Sequence, residues 1–398
     1  MKKYLLGLLT GITAVLCVEL AGYAVADYFC QGIGVYLGTD NAVLGEDTTK
    51  TLSKMGLLKG KIEKYFMNEV EDQDIEDGIY KGMLEGLGDP YSCYYTKEEY
   101  DALMEDSSGV YCGIGATVMQ NSETGAIYII NAFDGGAAKE AGLSTGDMIY
   151  KVEGEEVAGE DLSEVVAKMK GEEGTKVNIE VYLYEKNEYK EYTLERRQIE
   201  VPTVDYEMKE DNIGYIAVTA FDEPTDEQFI DAMEQLNQQG MKGVIVDLRN
   251  NGGGMLESVV NMLDYLLPKG KVIVSTKDKD GKGETYTSKS DTECEIPMVI
   301  LINGNTASAS EVFSGALQDY DKATLVGTTS FGKGIVQSVM PLGDGSAIKI
   351  TTSKYFTPKG RNIHGTGIEP DIMVESSGDS KTDKQYKEAY SLMKQRIK

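Results

Sequence analysis

The sequence predicts a multidomain chain of mixed α+β and α/β class, with a helical N-terminal region, a small β-barrel-like module carrying one helix, and an α/β core. Three observations predict it. At 398 residues the chain is too long for one average domain and suits two or three. Residues 108–198 hold short strand-like runs separated by glycine turns. From about residue 199, strand-like and helix-like runs alternate, the pattern of a parallel sheet flanked by helices. Hydrophobic residues at 41% and charged residues at 26% give an ordinary globular balance, so sizeable cores can form.

The N-terminus comes first. Met1-Lys2-Lys3 precedes fifteen uncharged residues, Tyr4–Val18, then Glu19 and the small-residue stretch Leu20–Ala26. This reads as a signal peptide or a signal anchor within 1–30, the anchor being favoured, with cleavage after Ala26 as the secreted alternative. Lysines held on the cytoplasmic side place everything beyond the segment outside the cell membrane.

Residues 31–107 form a helical region, since Leu52, Met55, Leu58, Ile62, Tyr65, Phe66, Val70, Ile75, Ile79 and Met83 recur mostly every three or four positions. Gly86-Leu87-Gly88-Asp89-Pro90 interrupts it, and Thr96 opens another short helix. Strands are expected at Ala116–Met119, Ile127–Ile130, Met148–Val152, Val177–Tyr184 and Lys190–Leu194, with a helix at Leu162–Met169. The core, 199–376, is expected to alternate Ile213–Val218, helix 225–239, Gly243–Leu248, helix 254–266, Met298–Asn303, helix 309–320 and Thr324–Val326. Residues 377–398 read as a polar tail ending in a helix.

Composition excludes several functions. A formal net charge of -27 argues against a nucleic-acid partner, because phosphate binding needs clustered Lys and Arg. The five cysteines, at 17, 30, 93, 112 and 294, show no C-x-x-C and no metal spacing, which leaves open only one Cys93–Cys112 bridge. With a single histidine, His364, a zinc site of the H-E-x-x-H type is impossible. No metal or cofactor is expected.

The chemistry concentrates in three stretches. Ser308 in Asn305-Thr306-Ala307-Ser308-Ala309-Ser310-Glu311 follows the buried-type run Met298–Ile302 and opens a helix. A serine at a strand-to-helix turn exposes its hydroxyl beside backbone N–H groups. Ser308 and Glu311 equally fit a capping box, and the stretch alone leaves both readings open. A serine nucleophile needs a base, and His364, in a glycine-rich loop without an acid partner, is a weak candidate. Lysine is the known alternative, and Lys333 stands between Gly332 and Gly334. From its ordinary value of about 10.4, a lysine base working near neutrality must be depressed by roughly three pH units, about 4 kcal/mol, which burial can supply. Gln337 would share a face with Lys333 and could orient the amine without charging it.

Gly327–Gly334 also approaches the phosphate loop G-x-x-x-x-G-K-[ST]. Gly334 stands where that loop needs Ser or Thr, and the strand-like Ile335–Val339 follows where it needs a helix. The third stretch, Asp247-Leu248-Arg249-Asn250-Asn251-Gly252-Gly253-Gly254, sits between a strand and a helix, so its glycine N–H groups can face a developing negative charge.

Together these motifs resemble the carboxy-terminal processing peptidases, a serine peptidase family with an inserted PDZ domain. The blocks that carry the likeness are Gly88-Asp89-Pro90-Tyr91-Ser92, Asp247–Gly254, Thr306–Glu311, Gly332–Gln337, and Thr357–Arg361 with Gly367–Asp371, all in family order. The resemblance implies a crotonase/ClpP-like α/β core and a serine-type endopeptidase. It implies Ser308 as nucleophile with Ser310 its competitor, Lys333 as general base, Gln337 as the lysine's positioner, and Gly253 and Ala309 N–H groups as oxyanion donors. Asp319 matches an acidic family position and reads as structural. Gly252 departs from a frequent family proline, and His364 from another polar residue.

For 108–198 the resemblance implies a PDZ domain. Gly113, Ile114, Gly115 and Ala116 would form its carboxylate-binding loop, and Val165, Val166 and Met169 would line side-chain pockets. Protein or peptide substrates with apolar C-termini are the implied partners. Residues 45–105 and the tail 377–398 fit either the arms of a homodimer or simply packed helices. The competing function is an inactive, surface-anchored peptide-binding adaptor, which an intact Ser308, Lys333 and Gln337 argue against.

Overall fold

The computed structural model describes residues 48–291, 294–377 and 382–398. The expected signal or anchor segment, with Cys17, Cys30 and the site after Ala26, lies outside the described residues. Among the described residues, no helix is long and apolar enough to cross a membrane. The chain divides into two compact units.

The first unit comprises, of the described residues, 48–96 and 340–348. Helices α1 (Thr48–Tyr65) and α2 (Asp72–Glu85) precede strand β1 (Cys93–Tyr95). Asp72 and Asp74 in the first turn of α2 suit the positive end of its dipole. The spacing of threes and fours did produce helices, yet α2 buries no residue and Leu52, Leu58, Tyr65 and Phe66 are exposed. In the interrupting turn, Asp89 accepts the Tyr91 N–H at 3.2 Å and the Ser92 hydroxyl at 2.6 Å. Tyr94 anchors β1 to α2, donating to Asp77 at 3.2 Å with its ring 5.2 Å from that of Tyr80.

The second unit comprises 97–339 and 349–398. After α3 (Lys97–Ser108) come β2 (Val110–Gly113), β3 (Ala116–Gln120), β4 (Ile127–Ala132), α4 (Ala137–Glu140), β5 (Met148–Val152), β6 (Glu155–Glu156), α5 (Leu162–Met169), β7 (Lys176–Leu183), β8 (Glu188–Glu195) and β9 (Arg197–Glu200). Strands pair in the order β3-β4-β5-β7-β8, with β6 on β5, and β2 pairs separately with β9. Along β7 the period of two is plain: Val177, Ile179, Val181 and Leu183 are buried and alternate with more exposed residues. Asp161 caps α5 by accepting the Ser163 N–H at 2.8 Å.

The core follows as β10 (Val204–Lys209), β11 (Ile213–Val218), α6 (Thr225–Gln238), β12 (Gly243–Asp247), α7 (Leu256–Leu266), β13 (Val272–Asp278), β14 (Thr285–Thr287), β15 (Met298–Ile302), α8 (Ala309–Asp319), β16 (Ala323–Gly327), β17 (Ile335–Pro341), β18 (Ala347–Phe356), β19 (Ile372–Met373) and α9 (Lys384–Arg396). Its main sheet runs β10-β11-β12-β15-β16-β19, parallel from β11 onward with β10 an antiparallel edge. Every residue of β12 and β15 is buried, as expected of parallel strands covered on both faces. Phe229, Leu263 and Phe313 of α6, α7 and α8 pack into one apolar cluster with Val246 and Ile300. Ala389 and Met393 of α9 pack with Ile213, Ile245, Val299 and Leu301 in another. The helix expected at the end of the polar tail forms, and it packs onto the core. A second sheet joins β14, β13, β18 and β17.

The register puts Asp247 beside Leu301 and Ile302 beside Gly327. The turns after β12, β15 and β16 therefore leave the sheet side by side at its carboxyl edge, where open parallel sheets place ligands. Cys93 and Cys112 are free thiols, so the Cys93–Cys112 bridge does not form.

Candidate active site

Beyond β15 the chain turns at once. Asn303 N–H donates to Thr306 Oγ1 at 2.9 Å, and the Thr306 hydroxyl donates to Leu248 O at 2.8 Å, tying this turn to the one after β12. Ser308 then stands at φ 55° and ψ -116°, a positive-φ conformation that costs a non-glycine residue of order 1–3 kcal/mol. Ala309 begins α8, so its N–H has no acceptor within the helix and faces outward at the positive end of the dipole.

Glu311 holds the strain in place. Its carboxylate is fully buried and accepts four hydrogen bonds. Oε2 takes the N–H of Ser308 at 2.9 Å and of Lys333 at 2.8 Å; Oε1 takes the Ser330 hydroxyl at 2.5 Å and the Gly332 N–H at 2.8 Å. One oxygen thus joins the main chain of the two residues expected to form the dyad. The capping-box reading was half of the truth: Glu311 does cap Ser308, and in doing so it fastens the lysine loop.

Glycines let that loop close. A Cβ on Gly332 (φ 89°) would fall 2.8 Å from Gly367 N, and one on Gly334 would fall 2.5 Å from His364 N. The exposed His364 therefore backs the lysine loop through its main chain. Tyr355, buried, donates its hydroxyl to Ser308 O at 3.2 Å and its N–H to Gly334 O at 3.2 Å. After Gly334 the chain enters β17 and no helix forms, which removes the phosphate-loop reading. Gln337 lies on β17 and donates its amide N–H to Thr351 Oγ1 at 3.3 Å.

Ser310 is buried and donates to Asn251 O at 3.1 Å, a structural role that takes it out of competition with Ser308. Gly253 (φ 100°) abuts the serine, since a Cβ there would lie 2.7 Å from Ser308 Cβ and 2.9 Å from Ala309 N. Its N–H, expected as an oxyanion donor, is engaged: it donates to Asn251 Oδ1 at 2.8 Å. Asn251 is buried, with its amide N–H on Val218 O at 2.8 Å and its carbonyl accepting Ala307 N–H at 3.0 Å. Sequence reasoning missed Asn251 altogether and saw only a cap in Glu311. Asp319 accepts the Lys359 N–H at 2.7 Å and pairs with Arg361, a structural contact.

Residues 212–374 match the family model of peptidase family S41, residues 130–183 that of a PDZ domain, and residues 37–99 the N-terminal domain of the activating protease CtpB. The chain is 35% identical over 366 residues to the carboxy-terminal processing protease CtpA of Bacillus subtilis (strain 168), across 90% of this chain and 78% of that one. The chain belongs to the carboxy-terminal processing proteases of peptidase family S41. A carboxy-terminal-processing protease of Bartonella bacilliformis is 33% identical, across 86% of this chain and 81% of that one. The crystal structure of a putative S41 protease from Bacteroides fragilis shares the fold with a TM-score of 0.51 and 15% identity, over 79% of this chain and 90% of that one. This processing protease is accordingly a serine-type peptidase that carries a PDZ domain.

Ahead of the residues of the processing protease that match a PDZ domain, Gly113, Ile114 and Gly115 are buried, and Ala116 opens β3, the end strand of the same sheet. The Ile114 and Gly115 carbonyls accept N–H groups of Ala138 at 2.8 Å and Phe133 at 2.9 Å. One expectation is corrected. Val165 and Met169 are buried in the domain's own core, because their spacing of four turns both towards the sheet. Leu162 and Val166, partly buried, occupy the neighbouring face of α5.

Proposed function

We propose that this processing protease is an extracytoplasmic endopeptidase working through a Ser308–Lys333 dyad, with substrates delivered by their C-terminal tails to its PDZ domain. The observation that carries the reading is the shared Glu311 oxygen, two hydrogen bonds from Ser308 N to Lys333 N. Ser308 Oγ attacks the scissile carbonyl and neutral Lys333 takes its proton. The ammonium so formed protonates the leaving amine as the tetrahedral species collapses to an ester. A water deprotonated by Lys333 then attacks that ester and frees Ser308. Gln337 positions the amine without adding charge.

Oxyanion stabilisation falls to the Ala309 and Gly253 N–H groups. The Gly253 N–H must first leave Asn251 Oδ1, an exchange favoured because an oxyanion accepts more strongly than a neutral amide. Tail binding adds a strand to the free edge of β3, with the carboxylate on the loop Gly113–Ala116 and apolar side chains against Leu162 and Val166. The paired lysines ahead of the apolar segment Tyr4–Val18 support membrane attachment with the catalytic part outside.

The test incubates the full-length protein with an unfolded protein ending in apolar residues and identifies products by mass spectrometry. Ser308→Ala and Lys333→Ala should each lower kcat/KM by about 10³-fold or more while the fold is retained. Cleavage undiminished in Ser308→Ala would remove the nucleophile assignment, and activity surviving in Lys333→Ala would remove the dyad.

A further inference from the structure

Tyr355 of β18 has no part in the scheme above, yet it is bonded to both halves of the proposed dyad. Its hydroxyl donates to Ser308 O at 3.2 Å, and its own N–H donates to Gly334 O, the carbonyl one residue past Lys333, at 3.2 Å. The side chain is buried, at 2% exposure, in the apolar cluster that also holds Val312 and Phe313 of α8. Asn362 secures this strand end, since its amide donates to Gly334 O at 3.0 Å and to Tyr355 O at 2.7 Å.

Ser308 O accepts three donors. Two of them, the Glu311 and Val312 N–H groups at 2.8 and 3.0 Å, belong to α8 and would travel with it. The third, the Tyr355 hydroxyl, comes from the second sheet, where β18 pairs with β17, the strand that carries Gln337. Glu311 joins the N–H groups of Ser308 and Lys333, whereas Tyr355 joins the carbonyls of Ser308 and Gly334. One bridge alone leaves rotation about itself; a second bridge on different groups removes it. The difference matters because a displacement of about 1 Å between nucleophile and base can cost about 10²-fold in rate. Burial, with the Glu311 charge nearby, holds the Tyr355 phenol well above its ordinary pKa, so the group stays a donor.

We propose that Tyr355 is a positioning residue for proteolysis: its hydroxyl, on the carbonyl of the strained Ser308, sets where the serine stands relative to the lysine loop. The inference rests on the Ser308–Lys333 dyad proposed above. Tyr355 is buried away from substrate and takes no part in proton transfer, so its loss should slow the chemistry and spare binding.

The experiment compares the full-length parent with Tyr355→Phe, which keeps the ring and removes the hydroxyl. Met393→Ala, which loosens the packing of α9 instead, controls for a general loss of stability. Thermal melts come first, then kcat and KM on a short peptide at a temperature where all three are folded. The third measurement is the rate of labelling by a fluorophosphonate, in which Ser308 Oγ bonds to phosphorus, Lys333 takes the proton and fluoride leaves; mass spectrometry locates the adduct. Tyr355→Phe should lower kcat and the labelling rate about 5–10-fold, the worth of one neutral hydrogen bond, with KM within about twofold of the parent. Met393→Ala should keep the parent's kcat. If the parent is labelled at Ser308 and Tyr355→Phe matches it in kcat and labelling rate, the dyad stands and the Tyr355 role is overturned. A loss confined to KM overturns that role too. So does an equal fall of kcat in Met393→Ala, or a Tyr355→Phe that does not fold, because the hydroxyl would then serve stability alone. A parent that is not labelled at Ser308 overturns the dyad and this inference with it.

Discussion

Two further side chains govern the geometry around Ser308, and neither would touch the scissile bond. Glu311 works because it is buried with four donors, which repay the desolvation of its charge. Asn251 works through shape, since its neutral amide donates to Val218 and accepts from Gly253. An Asn251→Asp substitution keeps the size, removes the donor and puts negative charge where the oxyanion must develop. We expect kcat to fall about 10²–10³-fold with KM little changed, measured by steady-state cleavage of a short peptide. An unchanged kcat would mean that the Gly253 N–H takes no part. Ser308, Lys333 and Gly253 could be singled out as candidates from the sequence, because chemistry restricts which residue types can act at such turns. Asn251 was not, since an asparagine before glycines reads as ordinary turn chemistry until its burial is known.

Elements with their own periodicity were easily read, and those made by their partners were not. β12 (Gly-Val-Ile-Val-Asp) and β15 (Met-Val-Ile-Leu-Ile) announce buried parallel strands by unbroken apolar runs. β18 has no clear alternation in burial and passed unnoticed; pairing of Ser353–Phe356 with β13 helps to make it a strand. The helix α9 was expected at the end of the polar tail, but its docking was not legible, because only Gln385, Ala389 and Met393, spaced four apart, are buried. Its docking depends on a gap in the sheet: a Cβ on Gly243 of β12 would lie 2.3 Å from Met393 Sδ. Met393→Ala should therefore cost about 2–4 kcal/mol, read from urea denaturation of the full chain. An unchanged midpoint would mean that α9 adds nothing to the stability of the core.

At the scale of the whole molecule the net charge of -27 acts through long-range attraction. A cationic unfolded substrate should be captured faster at low salt. Raising ionic strength from about 10 mM to about 150 mM shortens the Debye length from roughly 30 to 8 Å, so kcat/KM should fall several-fold while kcat holds. Peptides of equal length and opposite charge provide the check, and a salt effect of the same sign on both would refute steering. What the sequence by itself determined was the mixed α/β fold class, the peptidase family with its PDZ domain, and the serine-peptidase class. These follow from residue types and local spacing, which a linear reading preserves. Tertiary structure alone decided that Glu311 bridges the Ser308 and Lys333 main chains, that Gly253 N–H rests on Asn251, and that Ser310 is tied to Asn251 O. The physical reason is common to all three. A hydrogen bond is set by a few ångströms in space, and partners brought together by neighbouring turns need leave no periodic trace along the chain.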